Sequence, residues 1–563
     1  MRKVIYPNDY NPIREYWDRM QSGEEVVCDK IYRTYKKIVY DMDHPGEYFY
    51  SHKRANHIIE FFENYCKPSK CSDGNTNVRL ELWEKALLAT IFGFVDHRGL
   101  RKYREAILIV GKKNGKSLLA SGVGNYMLVA DGESGPEVYA VATKKDQAKI
   151  IWMEAKRMVL KSPSLRRIIK ALVNELSSED FNNGSFKPLA SDSDTLDGLN
   201  VHCGLMDEFH QWKNGRKLYD IIADGVTARL QPLIFMTSTA GTIREDIYDN
   251  KYEEAERIIN GYFDPDGYHD EHTIVFIYEL DSRKEWMIEK CWKKANPGLG
   301  TIKNIEALRI KVDKAINDPS KVKNLVCKEF NIRETSSEAW LTFEQLNNTD
   351  TFDLKALKPR YGIGGVDLSS TTDLTNATVI FMVPDDEHIY VLQMYWLPED
   401  LLEQRMREDK ISYDVWLEKG LLRTCPGNKV HYKYVTEWFL EVQNKLDIYL
   451  FKCGYDSWSA TYFVEEMINT FGKTVMEPVI QGKKTLSSPM KSLGADLSKK
   501  LVVYNNNPIL KWCLTNTSVD VDKNDNIQPC KGNLGTRRID GMAGLLDAYV
   551  CLENNLEDYK NII

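Results

Sequence analysis

The stretch Ala106-Ile-Leu-Ile-Val110, followed by Gly111-Lys112-Lys113-Asn114-Gly115-Lys116-Ser117, decides the fold of the first half of this chain. The apolar run predicts a buried strand, and the small residues beyond the turn predict a helix. A turn between a strand and a helix directs backbone N–H groups and the positive end of the helix towards an anion. Gly115, Lys116 and Ser117 are the core of a P-loop, in which the lysine reaches the β- and γ-phosphates and the hydroxyl holds Mg²⁺.

One position departs from the usual P-loop pattern. The pattern requires a glycine five residues before Gly115, where this chain has Val110. Gly111 stands one residue late, which predicts a loop that is shorter or differently shaped. A chance Gly-Lys turn is the alternative interpretation of the loop taken alone.

The surrounding sequence alternates between apolar strands and helices. Helical spacing over residues 252–335 predicts a largely helical segment there. Alternation of this kind is typical of a parallel α/β sheet. The predicted strands are 106–110, 137–143, 200–207 and 233–239.

Two further strand ends carry groups suited to nucleotide chemistry. Asp207 at a strand end is placed to support Mg²⁺, and the adjacent Glu208 to orient an attacking water. Thr237, Ser238 and Thr239 end another strand, where hydroxyl groups can sense a γ-phosphate. Taken alone, an acidic pair at a strand end or a hydroxyl-rich turn is common.

A second α/β unit begins near residue 358, with three successive strands followed by alternating helices and strands. Asp367, Asp456 and Asp540 lie at the ends of its elements, and Asp373 and Asp547 are nearby alternates. Several converging carboxylates are needed to hold two Mg²⁺ or Mn²⁺ ions for phosphoryl chemistry. Each aspartate alone could instead cap a helix or carry a surface charge.

Three lysines, Lys483, Lys484 and Lys491, form a local basic cluster in the same unit. They are candidates for contacts with DNA phosphates, and a solvated loop is the alternative interpretation.

Composition limits the classes of protein that remain. The chain has 563 residues, of which 43% are hydrophobic and 28% charged, which excludes wholesale disorder and a fibrous repeat. No run of 18 apolar residues occurs, and we expect neither a membrane span nor a secretory signal. The eleven cysteines include no C-x-x-C pair, which favours free thiols over a disulfide framework or a zinc site. A net charge of -7 gives no support for a basic nucleic-acid-binding surface.

Together these motifs resemble the large terminase subunit of tailed bacteriophages, the motor that packages DNA. The resemblance runs over roughly residues 80–550, and its motifs arrive in the family's order. They are LELWEKALL, GKKNGKS, SDSDTLDGLNVHCGLMDEFHQW, TSTAG, GIGGVDLSSTTDLT, YDSW and RIDGMAGLLDA. GKKNGKS is similar to the family's variant P-loop, although Lys112 stands where the family usually has arginine. The family's Trp-Gln adenine motif is Trp83-Glu84 here.

The resemblance implies an α/β chain with a P-loop ATPase and a ribonuclease H-like nuclease. The implied domains are an N-terminal extension (1–75), an ATPase with a helical lid region (76–335), a linker (336–357) and the nuclease (358–563). It also implies a ring of usually five subunits on the portal of the procapsid, double-stranded DNA as substrate, and a small terminase subunit as partner. The implied location is the host bacterial cytoplasm, with no membrane.

The resemblance also implies roles for single residues. ATP and Mg²⁺ would bind residues 111–117 and Asp207, with Trp83 packing nearby. Lys112 would sense the γ-phosphate, Glu208 would orient water, and Thr237 to Thr239 would couple hydrolysis to movement. Asp367, Asp456 and Asp540 would bind the two nuclease ions. An arginine from a neighbouring subunit would be Arg157, with Arg229 as the other candidate.

Three alternatives remain, one of which is a structural or binding protein with decayed sites. A P-loop DNA helicase or translocase would leave the second unit without a role. A ribonuclease H-like integrase or transposase would leave the P-loop without one. A DNA-packaging motor uses both halves in this order.

Overall fold

The structure of the protein is a computed structural model that separates into two compact units. One unit ends at residue 333 and the other begins at residue 334. The model describes residues 3–68, 77–191, 198–212, 215–241, 247–318, 321–334, 339–369, 373–409, 411, 413–456, 461–532 and 537–563.

The first unit is built on an eight-stranded sheet. The sheet order is β10-β3-β9-β8-β4-β7-β6-β5, parallel from β10 to β7 and antiparallel beyond. Its helices are α1 (Pro12–Ser22), α2 (Asp29–Asp43), α3 (His52–Tyr65), α4 (Leu82–Gly93), α5 (Lys116–Val129), α6 (Lys145–Lys161), α7 (Glu179–Asn182), α8 (Gly215–Gly225), α9 (Ile247–Gly261), α10 (Ile305–Asn317) and α11 (Val322–Phe330). Its strands are β1 (Phe49–Tyr50), β2 (Phe94–Val95), β3 (Glu105–Ile109), β4 (Glu137–Ala142), β5 (Lys170–Ala171), β6 (Leu176–Ser178), β7 (Gly184–Ala190), β8 (Val201–Asp207), β9 (Leu233–Ser238) and β10 (Thr273–Ile277).

The four predicted strands of this unit are confirmed as β3, β4, β8 and β9. The prediction of a largely helical segment over 252–335 is wrong in one place, because Thr273–Ile277 forms β10 beside β3. All five residues of β10 are buried, so this apolar run extends the sheet. Strands β5 to β7 were not predicted either.

The segment described above as an N-terminal extension packs into the first unit. Apolar side chains of α1, α2 and α3 share one buried cluster with those of α4, α5 and the sheet. The Cys28 thiol donates to the carbonyl oxygen of Ile277 at the end of β10, at 3.1 Å. These helices are therefore part of the first unit and not an appendage.

The second unit contains a mixed sheet in the order β14-β13-β12-β11-β15-β16, and β17 pairs with β13. Its helices are α12 (Phe343–Leu346), α13 (Leu354–Leu357), α14 (Leu402–Asp409), α15 (Tyr413–Glu418), α16 (Lys433–Leu446), α17 (Thr461–Phe471), α18 (Lys483–Ser498), α19 (Pro508–Asn516), α20 (Asp540–Asn554) and α21 (Leu556–Lys560). Its strands are β11 (Tyr361–Asp367), β12 (Thr375–Phe381), β13 (Ile389–Pro398), β14 (Leu422–Cys425), β15 (Tyr449–Asp456), β16 (Met476–Val479), β17 (Val502–Val503), β18 (Ser518–Val521) and β19 (Ile527–Cys530).

Helix α20 crosses this sheet at close range because two strands carry glycine beneath it. A Cβ on Gly365 of β11 would lie 2.2 Å from the backbone carbonyl oxygen of Gly544. One on Gly454 of β15 would lie 2.5 Å from the backbone carbonyl oxygen of Asp547. The two glycines therefore bring the acids of α20 next to the ends of β11 and β15.

The predicted linker is largely part of the second unit. Leu341, Phe343 and Leu346 are buried in its core, while residues 335–338 lie outside the described residues. None of the helices in the described ranges is long and apolar enough to cross a membrane.

Candidate functional sites

The P-loop offers a row of open backbone donors. Strand β3 is entirely buried, and α5 begins at Lys116 directly after Gly115, whose φ of 85° is left-handed. Within the described part of the chain, the N–H groups of residues 113–117 have no hydrogen-bond acceptor. A run of unpaired N–H groups at a helix N-terminus is an anion site.

The N–H groups of Gly111 and Lys112, at the start of the loop, bond to the protein backbone. The Gly111 N–H donates to the Ala295 oxygen (2.9 Å), and the Lys112 N–H donates to the Lys328 oxygen (3.0 Å). A Cβ on Gly111 would lie 2.4 Å from Oδ1 of Asn296. The backbone N–H of Gly111 is thus unavailable to a phosphate, which corrects its assignment as a direct ligand. Gly111 is needed for close packing, which explains a glycine one residue late in the motif.

The buried end of the P-loop meets the acidic pair of β8. The Ser117 hydroxyl donates to Oδ2 of Asp207 at 3.0 Å, and Nζ of Lys116 lies 3.6 Å from Oε1 of Glu208. Lys116 also donates to the Val110 oxygen at 3.3 Å. The four side chains predicted to hold ATP and Mg²⁺ therefore lie together at the carboxyl end of the sheet.

Asp207 is held where a cation would stabilise it. Burial is the main cause that raises its pKa, and the Glu208 charge raises it further. Lys116 and the hydroxyls of Thr237 and Ser117 act in the opposite direction. An oxygen-only set of one carboxylate and one hydroxyl suits Mg²⁺, so these residues fit the ion that the sequence implies.

Glu208 is fixed by contacts with the end of β9. Its φ of 48° is left-handed, and its N–H donates to the Thr237 oxygen at 2.8 Å. The Thr237 hydroxyl donates to Oδ1 of Asp207 at 2.7 Å, and that of Thr239 lies 3.5 Å from Oε2 of Glu208. The predicted coupling residues thus touch both acids of the site.

His210 belongs to this site and was missed. Its Nδ1 lies 3.2 Å from Oε2 of Glu208 and 2.9 Å from Oγ of Ser238. The ring therefore holds the carboxylate of Glu208 in place. Its position two residues after Glu208 was the one signal available, and a short 3₁₀ helix (Phe209–Gln211) turns it back towards the acid.

Trp83 does not present a face to a ligand, which corrects its assignment to the nucleotide site. The side chain is 3% exposed, and its ring packs against Tyr278 with the centroids 5.5 Å apart. The neighbouring Glu84 is also buried. Its Oε1 would lie 3.3 Å from a Cβ on Gly115, and its Oε2 accepts from the Glu81 N–H at 2.9 Å.

Glu84 makes the stability of the first unit depend on pH. Burial is the main cause that raises its pKa from 4.5 to about 8, so the folded protein holds this proton more tightly than the unfolded chain does. Stability is therefore lost as the pH rises from about 4.5 to 8. Over this range the free energy of unfolding of the wild type is expected to fall by an amount on the order of 4 kcal/mol. We expect this fall to be absent in Glu84→Gln. Urea unfolding at pH 5, 6.5 and 8 measures it, and Glu179→Gln, at an exposed position, is expected to follow the wild-type curve.

The two arginines considered for a neighbouring site differ in their surroundings. The Arg157 side chain on α6 is 50% exposed and lies 3.6 Å from Glu154. Arg229 is 8% exposed, pairs with Glu133 and donates to the Gly135 oxygen at 2.7 Å and the Asn200 oxygen at 3.1 Å. Arg229 is thus committed to its own subunit, which leaves Arg157 as the candidate.

We expect Arg229→Ala to lower the free energy of unfolding by about 2 kcal/mol, because it leaves carbonyl oxygens and Glu133 without their charged donor. Arg157→Ala is expected to change it by less than about 0.5 kcal/mol, as an exposed pair contributes little. Urea unfolding of the two variants side by side measures both values. Equal destabilisation by the two changes would contradict the assignment.

The acids of the second unit lie together where strands β11 and β15 end. Val366 of β11 pairs in parallel with Tyr455 of β15, so Asp367 and Asp456 end adjacent strands at the same level. Asp540 begins α20 and is 3% exposed, and its Oδ2 is buried without a hydrogen-bond partner. The three predicted acids therefore belong to one neighbourhood.

Burial, followed by mutual repulsion, disfavours the charged forms of these acids. Burial and the charge of Asp547 raise the pKa of Asp367 to about 8, and burial and the charge of Asp367 raise the pKa of Asp540. Among the described residues, no three His, Cys, Asp or Glu side chains are close enough to hold one ion. The donors nevertheless fit Mg²⁺ or Mn²⁺, because they are carboxylate oxygens, which these ions prefer as ligands.

Further side chains near these strand ends were not assigned a role in the sequence. Asp547, noted as an alternate, is 4% exposed and accepts from Nε2 of Gln481 at 3.2 Å. Asp373 pairs with Lys531 at 2.7 Å and with Arg538. Asp373 is thus paired with cations, whereas Asp547 accepts from the neutral amide of Gln481.

The basic cluster lies on a helix, and the alternative of a solvated loop is wrong. Lys483 begins α18 and pairs with Asp520 of β18 at 2.8 Å. Lys491 donates to the Asp525 oxygen at 2.8 Å, while Lys484 is exposed. Two of the three predicted phosphate contacts are therefore engaged with the β18–β19 hairpin.

Comparison with known proteins assigns both units. The family model described as "Terminase large subunit, ATPase domain" matches residues 82–257, and "Terminase large subunit, endonuclease domain" matches residues 268–554. The second match begins within the first structural unit, ahead of β10.

Individual relatives are similar over much of the chain. The large terminase subunit of Enterobacteria phage HK97 is 25% identical over 503 residues, which is 87% of this chain and 94% of the relative. The protein YmfN of Escherichia coli K12 is 25% identical over 363 residues, 62% of this chain and 77% of the relative. The crystal structure of the HK97 bacteriophage large terminase matches with 24% identity and a TM-score of 0.47, over 88% of this chain and 99% of that one.

Proposed function

This chain belongs to the family of terminase large subunits, and on that basis we propose how its own residues carry out ATP hydrolysis and DNA cleavage. The two family models cover an ATPase domain and an endonuclease domain in one chain. The protein is therefore an ATPase and a nuclease of the phage DNA-packaging machinery. A helicase or an integrase would account for one of these domains only.

In the ATPase site, the row of open N–H groups from Lys113 to Ser117 binds the phosphates of ATP. Lys116 neutralises the β- and γ-phosphates, and Ser117 and Asp207 hold Mg²⁺. The ion supplies positive charge against the charge that develops on the phosphate oxygens. Glu208, held by His210, orients the attacking water, and Lys112 is placed in the exposed part of the loop to sense the γ-phosphate.

Thr237 and Thr239 connect this chemistry to the rest of the sheet. They hydrogen-bond to Asp207 and Glu208, so a change at either acid on hydrolysis alters the end of β9. Thr237 to Thr239 thereby couple hydrolysis to movement. Arg157 of α6 completes the site of a neighbouring subunit in a ring of five.

In the nuclease site, Asp367, Asp456 and Asp540 hold two Mg²⁺ or Mn²⁺ ions. Bound there, such ions would supply positive charge for phosphoryl chemistry, and the three carboxylates would hold and orient them. Among the described residues the buried Oδ2 of Asp540 has no hydrogen-bond partner, which supports this role. Lys484, and Lys483 and Lys491 when released from the hairpin, contact phosphates of the double-stranded DNA.

The assembled motor works in the host bacterial cytoplasm, docked on the portal of the procapsid, and receives DNA from a small terminase subunit. The observation that carries the ATPase half of the proposal is the contact of Ser117 with Asp207 beside a row of open N–H groups. Procapsids, the small subunit and linear DNA would be mixed with this protein and treated with DNase. We expect protected full-length DNA with ATP and Mg²⁺, and none with a non-hydrolysable ATP analogue. Protection that does not require hydrolysis would contradict a motor.

A further inference from the structure

A buried polar network joins the P-loop to a segment far along the chain. We name it the P-loop clamp, and it consists of Asn114, Asn296, Lys303 and Glu329. Nδ2 of Asn114 donates to Oδ1 of Asn296 at 2.9 Å, and Oδ1 of Asn114 accepts from the Gly298 N–H at 3.1 Å. The clamp therefore contacts the P-loop through Asn114, whose side chain is fully buried.

Every polar atom of the Asn296 side chain is used. Its Nδ2 donates to the oxygens of Trp292 (3.1 Å) and Glu329 (2.8 Å), and its Oδ1 accepts from Asn114 and from Nζ of Lys303 (2.5 Å). Lys303 also pairs with Oε2 of Glu329 at 2.7 Å. A buried amide whose donor and acceptor groups are all used has one preferred arrangement, because any rearrangement leaves polar groups unpaired.

The clamp holds the first part of the loop, at Gly111 and Asn114. Together with the hydrogen bonds from the N–H groups of Gly111 and Lys112, it anchors the start of the loop to residues 295–298 and 328–329. The N–H groups of residues 113–117 are left open. A phosphate cradle made of backbone donors binds well only when its shape is held before the ligand arrives.

We infer that Asn296 and Lys303 are positioning residues for ATP, which act by holding the P-loop in its phosphate-binding shape. This inference rests on the proposed ATPase site and adds two residues that act through the shape of the loop. Lys303 is 6% exposed, and its Nζ contacts Asn296 and Glu329 of the clamp. Backbone donors bind the phosphates alike in the ground state and the transition state, so their misplacement raises KM more than it lowers kcat.

Lys311 provides a matched control. It pairs with the other carboxylate oxygen of Glu329, Oε1, at 2.6 Å, but its side chain is 51% exposed. The structure gives it no contact with Asn296. Lys303→Met and Lys311→Met therefore each remove one ion pair to the same acid, and only the first releases the Asn296 side chain.

The experiment measures steady-state ATP hydrolysis by the full chain, with plasmid cleavage of the same preparations as a check on folding. We expect Lys303→Met to raise KM for ATP by at least about tenfold while kcat changes by less than about threefold. Lys311→Met is expected to retain both values. Lys303→Gln, which keeps a donor to Asn296, is expected to fall between wild type and Lys303→Met and to provide the test if Lys303→Met does not fold.

Lys116→Ala in the same series tests the ATPase site separately from the role of the clamp. If Lys116→Ala retains hydrolysis, the ATPase site itself is wrongly assigned. If Lys116→Ala is inactive while Lys303→Met and Lys303→Gln keep the wild-type KM, only the role of the clamp is overturned. An equal rise in KM for Lys303→Met and Lys311→Met would also overturn it, because the effect would then come from Glu329 pairing in general.

Discussion

Replacement of Lys116 by alanine is expected to lower kcat for ATP hydrolysis by about 10³-fold, the loss typical of a cation that stabilises a phosphoryl transition state. Nζ of Lys116 is 3.6 Å from Glu208 and is 5% exposed, so no other lysine can take its place without rebuilding the loop. A coupled assay of ADP release, with and without linear DNA, measures the rate.

Lys113→Ala is the matched control for this change. Lys113 lies in the same loop, is exposed, and contributes its backbone N–H, which alanine retains. Its φ of 72° is equally strained for both residues. We expect hydrolysis within about fivefold of wild type. Metal-dependent cleavage of plasmid DNA is expected to survive in both variants, and its loss in Lys116→Ala would point to a folding defect.

Replacement of Asp367 by asparagine is expected to lower DNA cleavage by at least about 10³-fold in Mg²⁺ or Mn²⁺, because a neutral amide neither attracts nor orients the ions as a carboxylate does. ATP hydrolysis is expected to be unchanged. Conversion of supercoiled plasmid to open and linear forms, without ATP, measures the rate.

A second readout separates lost ion binding from misfolding. Asp367 is repelled by Asp547 and Asp373, so we expect the metal-free variant to unfold at the same temperature as wild type or higher. Mn²⁺ is expected to stabilise wild type and to have less effect on Asp367→Asn. Asp385→Asn is the control, because Asp385 follows β12 at the opposite end of the strands from Asp367. It is expected to behave as wild type in every assay. If Asp367→Asn still cuts DNA, the proposed ion site is wrong.

Local sequence was sufficient to predict the site residues that lie at the ends of strands. The run from Ala106 to Ser117 contains its own strand, turn and helix signals, and Asp207, Thr237, Asp367 and Asp456 each follow an apolar strand. Parallel strands bring such residues to one edge of a sheet whatever the loops between them do. That rule is local, so it can be applied without knowing the fold.

Other features depend on residues that are distant along the chain. Asn114 and Asn296 are 182 residues apart, and neither periodicity nor composition marks them as partners. The commitment of Arg229 to the backbone of residues 135 and 200, and the burial of Trp83 against Tyr278, depend in the same way on chain packing. Burial also changes chemistry, since it is the main cause that raises the pKa values of Glu84 and Asp367, and it depends on chain packing.

The amino-acid sequence of this protein was thus enough to identify two α/β units, a phosphate-binding loop and a set of acids, because strand, turn and helix signals act over a few residues. Folding in three dimensions settled which of those residues are free to act. Gly111 is needed for packing, Lys483 and Lys491 are engaged with a hairpin, and the P-loop is held by a segment nearly 200 residues away. The physical reason is that hydrogen bonding and desolvation depend on proximity in space, which the order of residues does not specify.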